Sequence, residues 1–433
     1  MKLFQQLLVA GASVSLIAPI AAQASDAVNL GEMNSYVRNK SRSSKLNSST
    51  FSNKVAENTE TPKVQQNKFE AGTFSDTTTL DGKAVMAIGA VDGGNNLGSN
   101  GTQATQVAAV YQMNLNTSFT GDDNLYIRLK GGDGWDGAFD QKTSTYHIEA
   151  KETGNADGSM NFNVDKMWYT FPLGDKITAT VGPLIENYYM LAATPSVYKP
   201  GALKSFKLGG NGAAFGASTS TGAGLKYVAD NGFAGSITVN SKKAETATGF
   251  LTKGDQNKVN TQLAYTADNY HISGTYSRQK GWNSWSYFAT KDLYTNADST
   301  TSNSDSYALR AWWRPDETGS ATPSISVGYD TMSFSGRSDN ITEGSGYFVG
   351  LNWADMFQPD DKIGFAVGQP MKATQAASGT TLTEVDPFQW ELYYSFRPND
   401  SIEVTPAIFG GTDIEDSTDD DIFGAVLTTV FKF

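Results

Sequence analysis

The stretch Phe388-Gln-Trp-Glu-Leu-Tyr-Tyr-Ser-Phe-Arg397 decides the fold. Its even positions are Phe388, Trp390, Leu392, Tyr394 and Phe396, and its odd positions are Gln389, Glu391, Tyr393, Ser395 and Arg397. Successive residues of an extended chain point to opposite faces, so this segment has one aromatic face and one polar face. The next segment repeats the pattern, with Ile402, Val404, Pro406 and Ile408 alternating with Glu403, Thr405 and Ala407. Between the two lies Pro398-Asn399-Asp400, a tight-turn sequence.

The alternation recurs toward the amino terminus. Tyr347, Val349, Leu351 and Trp353 alternate with Gly346, Phe348, Gly350 and Asn352. Tyr270, Ile272, Gly274 and Tyr276 alternate with polar neighbours, and Leu125, Ile127 and Leu129 with Tyr126, Arg128 and Lys130. Short turns at Gly174-Asp175, Asp230-Asn231-Gly232, Ala267 to Asn269, Glu317 to Ala321, Phe357 to Asp361 and Asn399-Asp400 alternate with longer polar loops once 184–218 is taken as one loop. Counting between them predicts about sixteen strands, the even number of a bacterial transmembrane barrel with short turns on one rim and long loops on the other. The fold class is therefore all-β, a transmembrane antiparallel β-barrel. A soluble sandwich would carry charge outside and apolar residues inside. Here the apolar face is rich in Tyr, Trp and Phe, and Trp168-Tyr169, Trp312-Trp313, Trp353 and Phe396 near strand ends read as an interfacial girdle.

Composition agrees. The 433 residues include 12% aromatics but only 18% charged residues, against roughly a quarter in an average soluble protein. The absence of Cys excludes a disulfide scaffold and a thiolate metal site, and two His leave little for a catalytic triad or zinc. No cofactor and no metal are expected. A formal charge of −12 argues against a nucleic-acid partner. Residues 1–24 read as a signal peptide: Lys2, an apolar stretch from Leu3 to Ile20, then Ala22-Gln23-Ala24. Residues 25–70, rich in Ser, Asn, Thr and Lys, read as a polar flexible periplasmic segment, and 71–433 as the barrel. The run Asp413, Glu415, Asp416, Asp419, Asp420, Asp421 reads as a solvated outer rim; divalent cations shared with lipopolysaccharide are the alternative.

Two segments carry a family resemblance: Phe69-Glu-Ala-Gly-Thr-Phe-Ser-Asp-Thr-Thr-Thr-Leu-Asp-Gly82 and Val181-Gly-Pro-Leu-Ile-Glu-Asn-Tyr-Tyr-Met-Leu-Ala-Ala-Thr-Pro195, with the terminal Phe433. With them the chain resembles cyanobacterial outer-membrane porins related to the carbohydrate-selective, OprB-like family and described as iron-uptake porins. The resemblance implies a homotrimeric barrel in outer-membrane lipid and lipopolysaccharide. It implies passive diffusion of inorganic ions, iron species and small saccharides. It also implies a surface-layer-homology domain before the barrel. Only the polar 25–70 segment stands there, so no peptidoglycan tether is expected.

Function in such a barrel sits at its constriction. The resemblance implies that the long loop 184–218 after the fifth strand folds into the lumen, where it supplies Glu186, Tyr188, Tyr189, Tyr198, Lys199, Lys204 and Lys207. Its lysines either ring the pore and favour anions, opposed locally by Glu186, or line an exposed loop. Strand residues of polar parity expected to line the pore are Lys83, Arg128, Lys130, Lys226, Lys258, His271, Arg310, Arg314, Asp330, Glu391 and Glu403. A Lys or Arg facing lipid at mid-bilayer costs roughly 2–4 kcal/mol, so the water-filled interior is the lower-energy assignment. Tyr126 and Tyr393 are candidate sugar-stacking platforms, with barrel packing as the alternative. An outer-membrane enzyme or a structural adhesin barrel is the competing class. An enzyme needs a positioned base, and neither His147 nor His271, the only imidazoles, has an accompanying Ser motif.

Overall fold

The computed structural model of the chain describes residues 77–93, 105–133, 162–210, 214–215, 219–282, 289–290, 293, 302–413 and 421–433. The expected signal peptide, the 25–70 segment, His147 and most of the acidic run lie outside the described residues.

Sixteen strands form a closed barrel in which every strand hydrogen-bonds to its sequence neighbours and β1 closes against β16. The first eight are β1 Thr78–Gly93, β2 Gln106–Thr117, β3 Asn124–Asp133, β4 Asn163–Pro172, β5 Ile177–Glu186, β6 Thr219–Val228, β7 Phe233–Ser241 and β8 Asn257–Thr266. The rest are β9 Tyr270–Lys280, β10 Asn303–Trp313, β11 Ser324–Ser335, β12 Ile341–Ala354, β13 Lys362–Ala376, β14 Phe388–Asn399, β15 Ile402–Thr412 and β16 Ile422–Lys432. Closure leaves no unpaired edge, which lets backbone polar groups cross a bilayer. Of the chain's two compact units, the larger, Asp81–Leu115 with Leu125–Phe433, holds the residues of interest below. In the smaller, Asp123 Oδ1 accepts Ser118 Oγ at 2.8 Å and the N–H groups of Phe119 and Thr120 at 2.9 and 2.8 Å, fixing the β2–β3 turn.

The short turns are built from residues that accept a left-handed backbone. Gly232, at φ 90°, turns β6 into β7 directly beneath Thr266. Asp361 closes the β12–β13 turn, accepting N–H groups of Met356, Phe357 and Gln358 at 2.7, 2.9 and 3.1 Å and the Tyr394 hydroxyl at 3.0 Å.

The outer face is apolar. Leu263, Ile272, Leu309 and Tyr329 stand exposed on it, as a lipid-facing surface requires. At the short-turn rim an aromatic belt includes Phe233 and Tyr265 (4.9 Å between rings) and Phe357 and Tyr394 (5.7 Å). The expected girdle needs one correction. Trp168 and Trp312 are buried inside the barrel, and only their neighbours Tyr169 and Trp313 point outward, because consecutive strand residues face opposite ways. The inner face is not uniformly polar either. β7 to β10 line it with rows such as Asn240, Lys258 and Gln279, whereas β1, β2, β15 and β16 present Val85, Val110, Phe409 and Val426. That apolar wall and its neighbours β12 to β14 join the core that Tyr198, Ala202, Leu203 and Phe206 of the loop enter.

Candidate functional site

β5 extends through Glu186, so the long loop begins at Asn187, one 3-10 turn (Asn187–Met190) before it bends inward. Its path is set by side chains of the inner wall. Ser236 of β7 and Gln262 of β8 accept the N–H groups of Ala192 and Ala193 at 3.3 and 3.0 Å. Trp312 Nε1 of β10 donates to the Thr194 carbonyl at 3.1 Å, and Ser326 Oγ of β11 accepts the N–H groups of Val197 and Tyr198 at 3.2 Å.

The tip docks on β14. The Glu391 carboxylate accepts the Tyr198 hydroxyl at 2.7 Å and the N–H groups of Gly201, Ala202 and Leu203 at 3.1, 2.9 and 2.7 Å. The Tyr393 hydroxyl donates to the Lys199 carbonyl at 2.7 Å, and Ser205 Oγ to Gln389 Oε1 at 2.7 Å. Burial pushes the Tyr198 hydroxyl well above its ordinary pKa, and the neighbouring Glu391 charge adds to this, so the phenol stays a donor. Leu203 and Phe206 are fully covered at the tip, each worth about 1.5–3 kcal/mol of burial. Two glycines permit the approach. A Cβ on Gly350 of β12 would stand 2.6 Å from the Tyr198 ring, and one on Gly210 (φ 122°) 2.6 Å from Phe348 Cβ.

The returning limb lies on β10 and β11. Arg310 Nε donates to the Leu208 carbonyl at 2.9 Å, its Nη2 pairs with Asp330 at 2.8 Å, and its guanidinium lies 5.2 Å from the Phe215 ring.

At β3 to β6 the loop's base adjoins a second group of residues. Tyr126, Trp168, Tyr189 and Tyr188 form a file with successive ring separations of 4.5, 5.3 and 4.9 Å. Charges flank it. Arg128 Nε donates to Asp165 Oδ1 at 2.7 Å, Lys166 pairs with Glu186, and the Lys166 and Lys207 ammonium groups sit 5.2 and 5.0 Å from the Tyr189 and Tyr188 rings. Trp168, Thr170, Thr180, Tyr189, Met190 and Lys226 line a cavity of about 90 Å³ here.

The expected residues therefore fall into three groups. Glu186, Tyr188, Tyr189, Lys207, Arg128 and Lys226 come together around the aromatic file. Tyr198, Arg310 and Glu391 are buried where the loop meets the wall and act as its anchors. Tyr393 lies there too, packed against the Tyr198 ring with its hydroxyl donated to the Lys199 carbonyl, so it serves as a further anchor of the loop. The others are dispersed. Lys130 and Lys258 are buried on the inner wall, and Lys204 is half-buried beside Ser205. His271 is buried near the short-turn rim, stacked on Trp312 at 5.5 Å and hydrogen-bonded to Thr266 and Ser273. Arg314 is exposed just beyond β10, its Nε donating to the Asp268 carbonyl at 2.9 Å. Lys83, Lys199 and Glu403 lie on the short-turn side.

Sequence reasoning missed Asp165, Lys166 and the inward Trp168. β4 has apolar residues on both faces and a register shift between Met167 and Tyr169, so its parity gives no clean signal.

Comparison with known proteins bears on this geometry. Residues 60–419 match the model of the carbohydrate-selective porin, OprB family. An uncharacterized protein of Nostoc sp. is 26% identical over 84% of this chain and 67% of its own length; one of Synechocystis sp. is 24% identical over 78% and 65%. The chain thus spans about two-thirds of these relatives. Among solved structures, Pseudomonas putida OprB superposes with a TM-score of 0.58 at 12% identity, covering 82% of this chain and 94% of that one. Salmonella typhi OmpF, solved with daunomycin, superposes with a TM-score of 0.50 at 14% identity, covering 82% and 97%. Both likenesses are of fold alone, a sixteen-stranded antiparallel porin-type barrel. This chain belongs to the carbohydrate-selective porins of the OprB family.

Proposed function

We propose that the barrel passes small saccharides, and inorganic ions with them, by passive diffusion through an opening beside the loop's base. Glu186, Tyr188, Tyr189 and Lys207 bound it from the loop side, and Arg128, Lys166, Trp168 and Lys226 from the wall. The observation that carries this reading is the aromatic file Tyr126–Trp168–Tyr189–Tyr188 with charged groups on its flanks. A pyranose has an apolar C–H face and a rim of hydroxyls. Rings supply a flat apolar surface with a polar edge, and a few converging charged groups orient the hydroxyls. Three such channels assemble as a trimer within lipopolysaccharide-bearing lipid. Iron species find no comparable support: among the described residues no three His, Asp or Glu side chains come together to hold a metal.

Purified protein in liposomes should admit hexoses and disaccharides at rates that saturate with concentration, and in planar bilayers should open in groups of three conductance steps. A folded, heat-modifiable barrel that neither conducts nor swells liposomes sinks the proposal. One that conducts salt but excludes neutral sugars leaves only its ionic half.

A further inference from the structure

The short-turn rim carries a second concentration of charge, on a stretch of wall that does not include the strands of the aromatic file. Five consecutive neighbours in the closed barrel, β13, β14, β15, β16 and β1, place Lys362, Arg397, Glu403, Lys432 and Lys83 on their inner face within a few residues of the turns. Lys83 and Lys432 are cross-strand partners, and Lys362 lies opposite Ser395, one inward position before Arg397. From the lumen side the loop adds Lys199, whose carbonyl Tyr393 holds.

Few carboxylates face Lys199, Lys362, Arg397 and Lys432 among the described residues. Glu403 is shared by Lys432 at 2.7 Å and Arg397 at 3.4 Å, and Asp360 stands 3.9 Å from Arg397. Lys362 is within electrostatic reach of Lys199, Arg397 and Lys432 and of the one carboxylate Glu403. No carboxylate comes within ion-pair distance of the Lys199 or Lys362 ammonium group among the described residues. Like charges gathered on one half-buried surface repel, and an anion seated among them relieves that repulsion.

We propose that this cluster is an anion station below the loop, on the periplasmic side, which takes small multivalent oxyanions of the phosphate or sulfate class. Arg397 offers a planar fork to two oxygens, and Lys199, Lys362 and Lys432 offer point charges around it. A monovalent halide gains less, because it meets the same cations with half the charge and no second oxygen. The station lies apart from the aromatic file, so it does not depend on the sugar reading.

The test uses single open channels in a planar bilayer at fixed potassium chloride, with inorganic phosphate added to each compartment in turn. Phosphate from one side should reduce the chloride current saturably, at lower concentration than from the other side. Lys362→Gln with Arg397→Gln should raise the half-effect concentration by roughly tenfold, equivalent to about 1.4 kcal/mol. Lys362→Arg should restore it, which separates charge from folding. In a parallel arm, a hexose phosphate carrying the same head group should compete with phosphate, and the neutral hexose should not. Equal, unsaturable effects from both sides, an unchanged half-effect concentration in the double variant, or a response to hexose phosphate without one to phosphate each overturn the proposal. Chloride conductance in every run reports that the pore itself is open.

Discussion

The Glu391 carboxylate on β14 accepts the backbone N–H of Leu203, at the tip of a loop that began nine strands earlier, at 2.7 Å. Three further donors, the Tyr198 hydroxyl and the N–H groups of Gly201 and Ala202, share the same two oxygens. Removing the acceptor orphans them all. Each buried donor left unmade costs about 1–3 kcal/mol. Glu391→Ala should therefore loosen the tip and lower the denaturant midpoint of the folded barrel. It should also raise open-channel noise and expose the 198–207 segment to protease. Unaltered proteolysis and noise would mean that packing of Leu203 and Phe206 alone holds the loop.

Neighbouring residues test parity directly. Leu309 is exposed on the outer face of β10, and Arg310 is buried on the inner one. Leu309→Lys should destabilise the barrel in lipid by roughly 2–4 kcal/mol. Arg310→Leu should do its damage differently, by leaving Asp330 and the Leu208 carbonyl unpaired inside. Equilibrium unfolding from bilayers measures the first; loop proteolysis separates the second.

Trp168 is the centre of the aromatic file, in ring contact with both Tyr126 and Tyr189. Trp168→Ala should remove saturation of sugar flux in liposome swelling while leaving or raising salt conductance. A parallel fall in both would mean that Trp168 only packs the wall.

Lys207 lies over the Tyr188 ring at the end of the aromatic file, and Lys204 precedes it by one turn of the loop. Lys204→Glu with Lys207→Glu should move the reversal potential in a salt gradient toward cation preference, and Lys207→Glu alone should supply most of the change. No movement would place both ammonium groups away from the ion path.

Asp361 gives a pH signature outside the strands. Burial pushes its carboxyl up, but the N–H groups of Phe357, Met356 and Gln358 and the Tyr394 hydroxyl outweigh that and hold it below its ordinary value. A lowered folded pKa stabilises the barrel above the unfolded value of about 4, and the contribution fades as pH falls through the folded one. Asp361→Asn should therefore be less stable than the parent at pH 7, with the gap closing below pH of about 4. A gap constant from pH 7 to 3 would show that lost geometry, not charge, is responsible.

Most of the barrel was legible in the chain. The alternation in 388–397 and 402–408 places Glu391, Tyr393 and Glu403 inside and Trp390, Leu392 and Ile408 outside, as the structure does. This works because the strand period is two and the two solvents differ. Lipid disfavours a charge at an outward position near mid-bilayer, whichever strand carries it. Turn chemistry likewise sets the number of strands, since Asp and Gly close short rims through left-handed backbone.

What the chain alone determined, then, is the barrel, its sixteen strands and the parity of each clean one. Only the tertiary structure decided which inward residues anchor the loop and which gather around the aromatic file. Glu391 and Arg310 read as pore lining because both have inward parity, yet a loop more than a hundred residues away in sequence covers them. Parity is a local property of one strand and reports inside or outside. Whether an inward charge meets water or the backbone of a folded loop depends on contacts between distant segments, and no periodicity within either segment records them.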